Sequence, residues 1–205
     1  MIQYEGGFKN GYYHGDGTAT YVRTPTGYDY HVSYSGGWES GQWSGRGKIK
    51  YASGAEYEGG IYMGMKDGYG VMSFADGSSY EGGWKNDHKD GYCVEIDVNG
   101  QKYEGGIHGD NNIHGYGHKN WKDGTSYDGG WKDGRKYGYG SESAIGYAYD
   151  GGVKDGLRTG YGQSFTTGGV YDGGWKDNNA EGYGVTTYPN GCQVEGAWHQ
   201  GAQVL

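Results

Sequence analysis

Large aliphatic side chains are scarce in this sequence of 205 residues. Leu, Ile, Val and Phe together number 22, and Leu occurs twice. A chain this poor in them cannot bury much aliphatic surface against the entropy of folding, and by this measure it falls among disordered sequences. Positive charge is also short. Lys and Arg number 17 against 25 Asp and Glu, for a net charge of −8. That balance argues against nucleic acid, whose binding depends on Lys and Arg at phosphates. It argues less strongly against anionic membrane surfaces. No apolar run approaches membrane-spanning length. The opening MIQYEGGFKN has no basic segment followed by an apolar one, so no signal peptide is expected.

What the chain has instead is 48 Gly, 24 Tyr and 7 Trp, with aromatics at 17% of residues. Aromatic rings each bury a large area, and these glycines recur at fixed intervals. Tyr-x-Gly-Gly followed by an apolar residue begins at Tyr4, Tyr34, Tyr57, Tyr80, Tyr103, Tyr127, Tyr149 and Tyr171, and a degenerate copy begins at Val194. The spacing is 22 to 24 residues except for a first interval of 30, whose extra residues lie around Thr24-Pro25-Thr26-Gly27 and predict a protruding loop. Gly-x-Gly follows each tyrosine by about eleven residues, as in Gly68-Tyr69-Gly70 and Gly138-Tyr139-Gly140; in the fourth copy it reads Gly91-Tyr92-Cys93. A third aromatic comes four residues later in most copies, among them Tyr21, Tyr51, Phe74, Trp121 and Tyr188. Pairs such as Asp76-Gly77, Asn99-Gly100, Asp123-Gly124 and Asn190-Gly191 close the units, and such pairs favour the positive φ of tight hairpins. No stretch shows helical periodicity. The reading is all-β, one array over residues 1–205, each hairpin paired to the next.

The unit Y-E-G-G-W-K-N-x-x-x-x-G-Y-G resembles the MORN motif (membrane occupation and recognition nexus), from Tyr4 to about Trp198. The resemblance implies an elongated, twisted, open-ended single-layer antiparallel sheet. It also implies a role in assembly, tethering or targeting. The chain departs from the family by repeating Gly at Gly7, Gly37 and Gly60 and onward, where an acidic residue is common.

Alternate strand residues share a face. In the hairpin that begins at Tyr80, the expected pairing puts Trp84 opposite Gly91, Gly83 opposite Tyr92 and Gly82 opposite Cys93, so that each ring meets a missing side chain. One face then carries an aromatic ribbon: Tyr34, Trp38, Tyr57, Tyr80, Trp84, Tyr103, Tyr127, Trp131, Tyr149, Tyr171 and Trp175, with Tyr4 and Phe8 before them. These rings are the candidate partner-binding groove, because a thin sheet has no separate core and exposed aromatic surface marks interaction sites. The opposite face carries Tyr69, Tyr92, Tyr116, Tyr139, Tyr161 and Tyr183. It also carries an acidic column of Glu58, Glu81, Glu104, Asp128, Asp150 and Asp172, spaced at roughly 10 Å. That column reads as a solubilising face or as an attraction for a basic partner.

Other candidates carry less chemistry. Lys9, Lys85, Lys132, Lys154 and Lys176 follow the Trp column and could form a lipid-binding edge, but Asp or Asn follows each within two residues. His114 and His118 flank a Gly-Tyr-Gly strand about 13 Å apart, too far to share a metal with each other, and His108 adds no set. Asp87, Asp90, Asp110 and Asp177 lack the spacing of a calcium loop. Cys93 and Cys192 lie four repeats apart, roughly 40 Å, and read as free thiols of a reducing, cytoplasmic compartment. No nucleophile, base and orienting group recur together, so the expectation is no enzyme, no cofactor and no metal.

The expected function is a cytoplasmic protein-binding scaffold whose groove takes a partner segment such as an amphipathic helix with basic flanks. Peripheral binding to anionic lipid is the alternative that the net charge disfavours. A carbohydrate- or choline-binding repeat module is the further alternative. A homodimer through a terminal repeat is compatible with any of these, because an unpaired strand edge invites pairing.

Overall fold

The computed structural model describes residues 2–21, 31–110 and 112–204, so the loop expected at Thr24 to Gly27 lies outside the described residues. The eighteen strands belong to one open antiparallel sheet. In chain order they form hairpins: β1 (Ile2–Lys9) with β2 (Tyr12–Tyr21), β3 (His31–Glu39) with β4 (Gln42–Tyr51), β5 (Glu56–Tyr62) with β6 (Met65–Ser73), β7 (Ser79–Lys85) with β8 (His88–Ile96) and β9 (Lys102–His108) with β10 (Ile113–Asn120). Next come β11 (Ser126–Lys132) with β12 (Arg135–Ala144), β13 (Tyr147–Lys154) with β14 (Leu157–Thr166), β15 (Gly169–Lys176) with β16 (Asn179–Thr187) and β17 (Gln193–His199) with the short β18 (Ala202–Val204). The chain divides into two compact units, one of Met1–Gly100 with Ile107–Asp110, the other of Gln101–Gly106 with Asn111–Leu205. Within each unit the hairpins pair with their sequence neighbours.

Two kinds of turn alternate. Except between β9 and β10, the strands inside a repeat are joined by two residues that both hold positive φ, as at Asn86 (48°) and Asp87 (68°), or Asp133 (50°) and Gly134 (75°). This is the mirror-image turn whose twist matches a hairpin. Between repeats most connections are wider, although β12–β13 and β14–β15 are also joined by two residues. Gly77 N–H donates to Phe74 O at 3.1 Å and Phe74 N–H to Ser78 O at 2.9 Å, which makes a three-residue loop closed by a glycine bulge. Asp76 Oδ1 accepts from Ser78 N at 2.9 Å and so holds that loop. The tight hairpin turn is therefore not Asp76-Gly77: of that pair only Gly77 has positive φ.

The register within hairpins is partly as expected. Gly82 does pair with Cys93, but Trp84 pairs with Lys89, because Asp90, Gly91 and Tyr92 bulge opposite the single residue Gly83. The same shift recurs between Gly59 and Ile61, Gly129 and Trp131, and Gly151 and Val153. A side chain on Gly60 or Gly83 would run into the backbone carbonyl of Asp67 or Asp90 in that bulge, which explains the second glycine of the motif. The ring-over-glycine pairings occur in the other ladder, between hairpins. There Trp84 faces Gly68 and Gly83 faces Tyr69; likewise Trp131 faces Gly115 and Trp175 faces Gly160.

Candidate functional site

The expected groove rings are the interior of each unit. In the first unit Tyr34, Tyr57 and Tyr80 are wholly buried, with Trp38 and Trp84 nearly so. In the second, Tyr103, Tyr127, Trp131, Tyr149 and Tyr171 are buried and Trp175 is half-buried. Each tyrosine lies along its own hairpin and donates its hydroxyl to the carbonyl three residues on: Tyr57 to Gly60 O at 2.8 Å, Tyr103 to Gly106 O at 2.8 Å, Tyr149 to Gly152 O at 2.9 Å. A buried hydroxyl needs such a partner. The ring covers the Gly–Gly pair beneath it, so that a Cβ on Gly140 would sit 2.6 Å from Tyr127 Cε2 and Cζ. Burial drives the hydroxyl pKa of Tyr34 and Tyr127 up to about 12, with nearby carboxylates, Asp16 for Tyr34 and Glu142 for Tyr127, adding to it.

Trp38, Trp84, Trp131 and Trp175 work between hairpins. Trp131 Nε1 donates to Gly117 O at 3.0 Å, Trp175 Nε1 to Gly162 O at 2.9 Å and Trp38 Nε1 to Gly17 O at 3.2 Å. The same rings meet two tyrosines edge-on: Trp84 lies 5.4 Å from Tyr57 and 5.0 Å from Tyr80, and Trp175 lies 5.2 Å from Tyr149 and 5.3 Å from Tyr171. Edge-to-face pairs of this kind each add about 0.5–1.5 kcal/mol beyond burial.

A column of cations roofs these rings. Lys66 Nζ stands 4.5 Å from the Trp84 ring centre, Lys89 Nζ 4.7 Å from Tyr80, Lys136 Nζ 4.8 Å from Tyr127, and the Arg158 guanidinium 4.6 Å from Tyr147 and 5.0 Å from Tyr149. Glu95 pairs with Lys89, and Glu142 pairs with Lys136 at 2.6 Å and with Arg158 at 3.0 Å. Burial raises the Glu142 pKa, but these two cations outweigh it and hold the carboxyl below its ordinary range. The roof explains how a one-layer sheet buries Tyr57, Tyr80, Trp84, Tyr127 and Tyr149, while over Tyr34 the stacked ring of Trp43 takes its place at 4.4 Å. Its sequence signal is the residue five places after the Trp column, paired across the hairpin with that column: Ile61 with Lys66, Trp84 with Lys89, Trp131 with Lys136, Val153 with Arg158. The lysines singled out from the sequence (Lys9, Lys85, Lys132, Lys154 and Lys176) are exposed instead, and Lys85 pairs with Asp67 at 3.0 Å.

The accessible aromatic surface is on the other face. In the first unit Tyr69 and Tyr92 are each 63% exposed; in the second Tyr116, Tyr139, Tyr161 and Tyr183 are 65–70% exposed. The Gly-x-Gly motif sets them there, with the first glycine at the bulge in positive φ and the second beneath an interior ring. The acidic column runs beside them. Tyr69 donates to Glu81 Oε1 at 2.5 Å, Tyr161 to Asp172 and Tyr183 to Glu195 Oε2 at 3.1 Å. Hydrogen bonds from Tyr116 to Asp128 and from Tyr139 to Asp150 raise both phenol pKa values. Glu58 instead pairs with Arg46 at 3.4 Å and Glu104 with Lys102 at 2.8 Å.

The remaining candidates occupy ordinary positions. His108 Nδ1 lies 2.7 Å from Asp90, His88 Nδ1 2.7 Å from Asp110, and His118 Nε2 3.1 Å from Asn120 Oδ1. Among the described residues no three His, Cys, Asp or Glu side chains converge to hold a metal. Asp87 Oδ1 accepts from Lys66 N at 2.9 Å in the preceding hairpin, a structural use of that turn acid. Both cysteines are free; burial pushes the Cys93 thiol up to about 12, and Cys192 is exposed.

The repeat pattern agrees with one known family. A profile of the MORN repeat matches residues 4–23, 34–56, 57–79, 80–102, 103–126, 127–144, 149–170 and 171–193. No curated protein matches the chain. Among solved structures the chain is similar to the TCP domain of SAS-4 (dCPAP) of Drosophila melanogaster, determined in complex with a proline-rich motif of Ana2 (dSTIL), with 14% identity, a TM-score of 0.44 and coverage of 74% of this chain and 83% of that one. With eight tandem matches spread along nearly its whole length, the chain belongs to the MORN repeat family.

Proposed function

We propose that this chain is a non-catalytic protein-interaction scaffold that engages its partner through the outer tyrosine face. The observation that carries this reading is the set of exposed tyrosines, 63–70% accessible and presented by six of the eight repeats. Rigid aromatic side chains supply contact area at little entropic cost. The interior rings first read as the groove are committed to one another and to the cations that roof them. A cytoplasmic setting belongs to the same reading, which two free thiols support.

The test is affinity capture with the wild-type chain beside two variants. Tyr139→Ser/Tyr161→Ser strips the outer face, and Phe74→Ser/Tyr188→Ser strips exposed rings at the rim of the inner face. Thermal melts establish that both variants fold. A protein retained by wild type and the rim variant, and lost by the outer-face variant, supports the assignment. Loss confined to the rim variant would move the site to the inner face.

A further inference from the structure

We infer that the outer face of β10–β17 docks a basic helical segment of a partner protein, with Arg or Lys at every seventh residue. This rests on the reading that the outer tyrosine face is the interaction surface, and it adds the partner's chemistry and spacing.

The charge is the first ground. Across the middle of this face Asp128, Asp150, Asp172 and Glu195 stand on alternate strands. The residues paired with them are His118, Ser141, Gln163 and Val185. No Lys or Arg enters this row, and its one basic side chain, His118, lies 3.9 Å from Asp128. The first unit is built differently: there Arg46 pairs with Glu58 at 3.4 Å and Lys48 with Glu56 at 2.6 Å. The second unit thus keeps four carboxylates in line without intrachain Lys or Arg. Beside each is an exposed tyrosine, Tyr116, Tyr139, Tyr161 or Tyr183, and Tyr161 and Tyr183 donate their hydroxyls to Asp172 and Glu195. A carboxylate next to an aromatic ring suits an arginine, which pairs with the one and stacks on the other.

The spacing is the second ground. Carboxylates two strands apart recur at about 9.5 Å. Seven helical residues advance about 10.5 Å and return to within about 20° of the same side. Three residues of extended strand span a similar length but point the third side chain to the opposite face. A helix crossing the strands therefore meets one tyrosine–carboxylate pair every second turn, and the reach of an arginine absorbs a mismatch of about 1 Å per repeat.

The experiment uses the whole chain and labelled synthetic peptides, with binding read by fluorescence anisotropy. One peptide carries four arginines at heptad spacing in an Ala/Gln helix. A second has the same composition with arginines five apart, and a third carries an arginine at every third residue of a proline-rich sequence. The heptad peptide should bind at least tenfold tighter than either. Its affinity should fall at least tenfold in Gln163→Lys/Val185→Lys, which adds cations beside the row, and also on raising the salt, as expected for exposed charges. Far-ultraviolet spectra and melting curves verify that the variant folds. No binding, equal affinity for the heptad and five-spaced peptides, tighter binding of the proline-rich one, or indifference to Gln163→Lys/Val185→Lys would overturn the inference. If a captured partner depends on Tyr139 and Tyr161 but not on the added lysines, the outer-face reading stands and the basic helix is excluded.

Discussion

A side chain at the glycine beneath an interior tyrosine should be costly because of the ring above it, and Gly140→Ala tests this directly. All three atoms nearest to a Cβ built at Gly140 belong to Tyr127: the hydroxyl oxygen at 2.5 Å, Cε2 at 2.6 Å and Cζ at 2.6 Å. No backbone atom stands closer, so the cost lies in moving one wholly buried ring that also donates to Gly130 O at 3.1 Å. Overpacking of this kind costs about 1–3 kcal/mol. Against it, alanine in a strand interior gains about 0.5–1 kcal/mol over glycine. The net loss should be up to about 2.5 kcal/mol, a fall of up to roughly 10 °C in melting temperature at 2–4 °C per kcal/mol for a chain of this size. The decisive assay is a double-mutant cycle with Tyr127→Ala, read by urea denaturation. Without the ring, Gly140→Ala should be neutral or stabilising, which gives a coupling of about 1–3 kcal/mol, the overpacking cost itself. Equal destabilisation in both backgrounds would refute the account and place the constraint in the backbone. Cys93 occupies the equivalent position under Tyr80, where the hydroxyl still reaches Gly83 O at 2.6 Å, so an adjusted ring can accommodate a side chain there.

Other substitutions separate the remaining layers. Trp131→Phe removes the donor to Gly117 O and should cost about 1–3 kcal/mol, measured as a lower urea midpoint; an unchanged midpoint would deny Trp its role between hairpins. Met63 holds a φ of 51° while 56% exposed at a two-residue turn, so Met63→Asn should stabilise by up to about 1 kcal/mol, visible as a higher melting temperature. The depressed Glu142 pKa contributes stability that is present above the ordinary 4.5 and is lost as pH falls through the lower folded value. Wild type should therefore lose its advantage over Glu142→Gln below about pH 4.5, whereas parallel acid-denaturation curves would show that the Lys136–Glu142–Arg158 cluster does not stabilise. At high pH the sign reverses. Tyr34 and Tyr127, raised from 10.0 to about 12, stay neutral when folded, so stability falls as pH rises above 10, and tyrosinate absorbance should lag that of the urea-unfolded chain.

The repeat, its β character and the two ring-bearing faces were legible because each feature recurs at one spacing, from Tyr34 through Tyr171. The partition of the glycines was not. Sequence alternation assumes an unbroken ladder, and the bulge at Asp90 to Tyr92 shifts Trp84 away from Gly91 and leaves it facing Gly68 of the preceding hairpin. Burial was misplaced for a related reason. Nothing in the pattern of Tyr and Trp reveals that Lys66, Lys89, Lys136 and Arg158 fold over the rings, because Lys and Arg are read as solvated unless a paired ring is already known. With that roof in place the ribbon is interior, and the tyrosines inside Gly-x-Gly carry the exposed surface.

The division of labour between Tyr and Trp also bears on how the chain reaches its native state. Tyr57 closes its own hairpin, and the tryptophan bonds reach back only to the preceding one, 21 residues from Trp38 to Gly17 and 14 from Trp131 to Gly117. Contacts this local carry little loop-closure entropy, so relative contact order should be low for an all-β chain and folding correspondingly fast. Any hairpin can nucleate, and each neighbour adds one copy of the same interface. Cooperativity then spreads by nearest-neighbour steps, as in a one-dimensional lattice, without one global closure event.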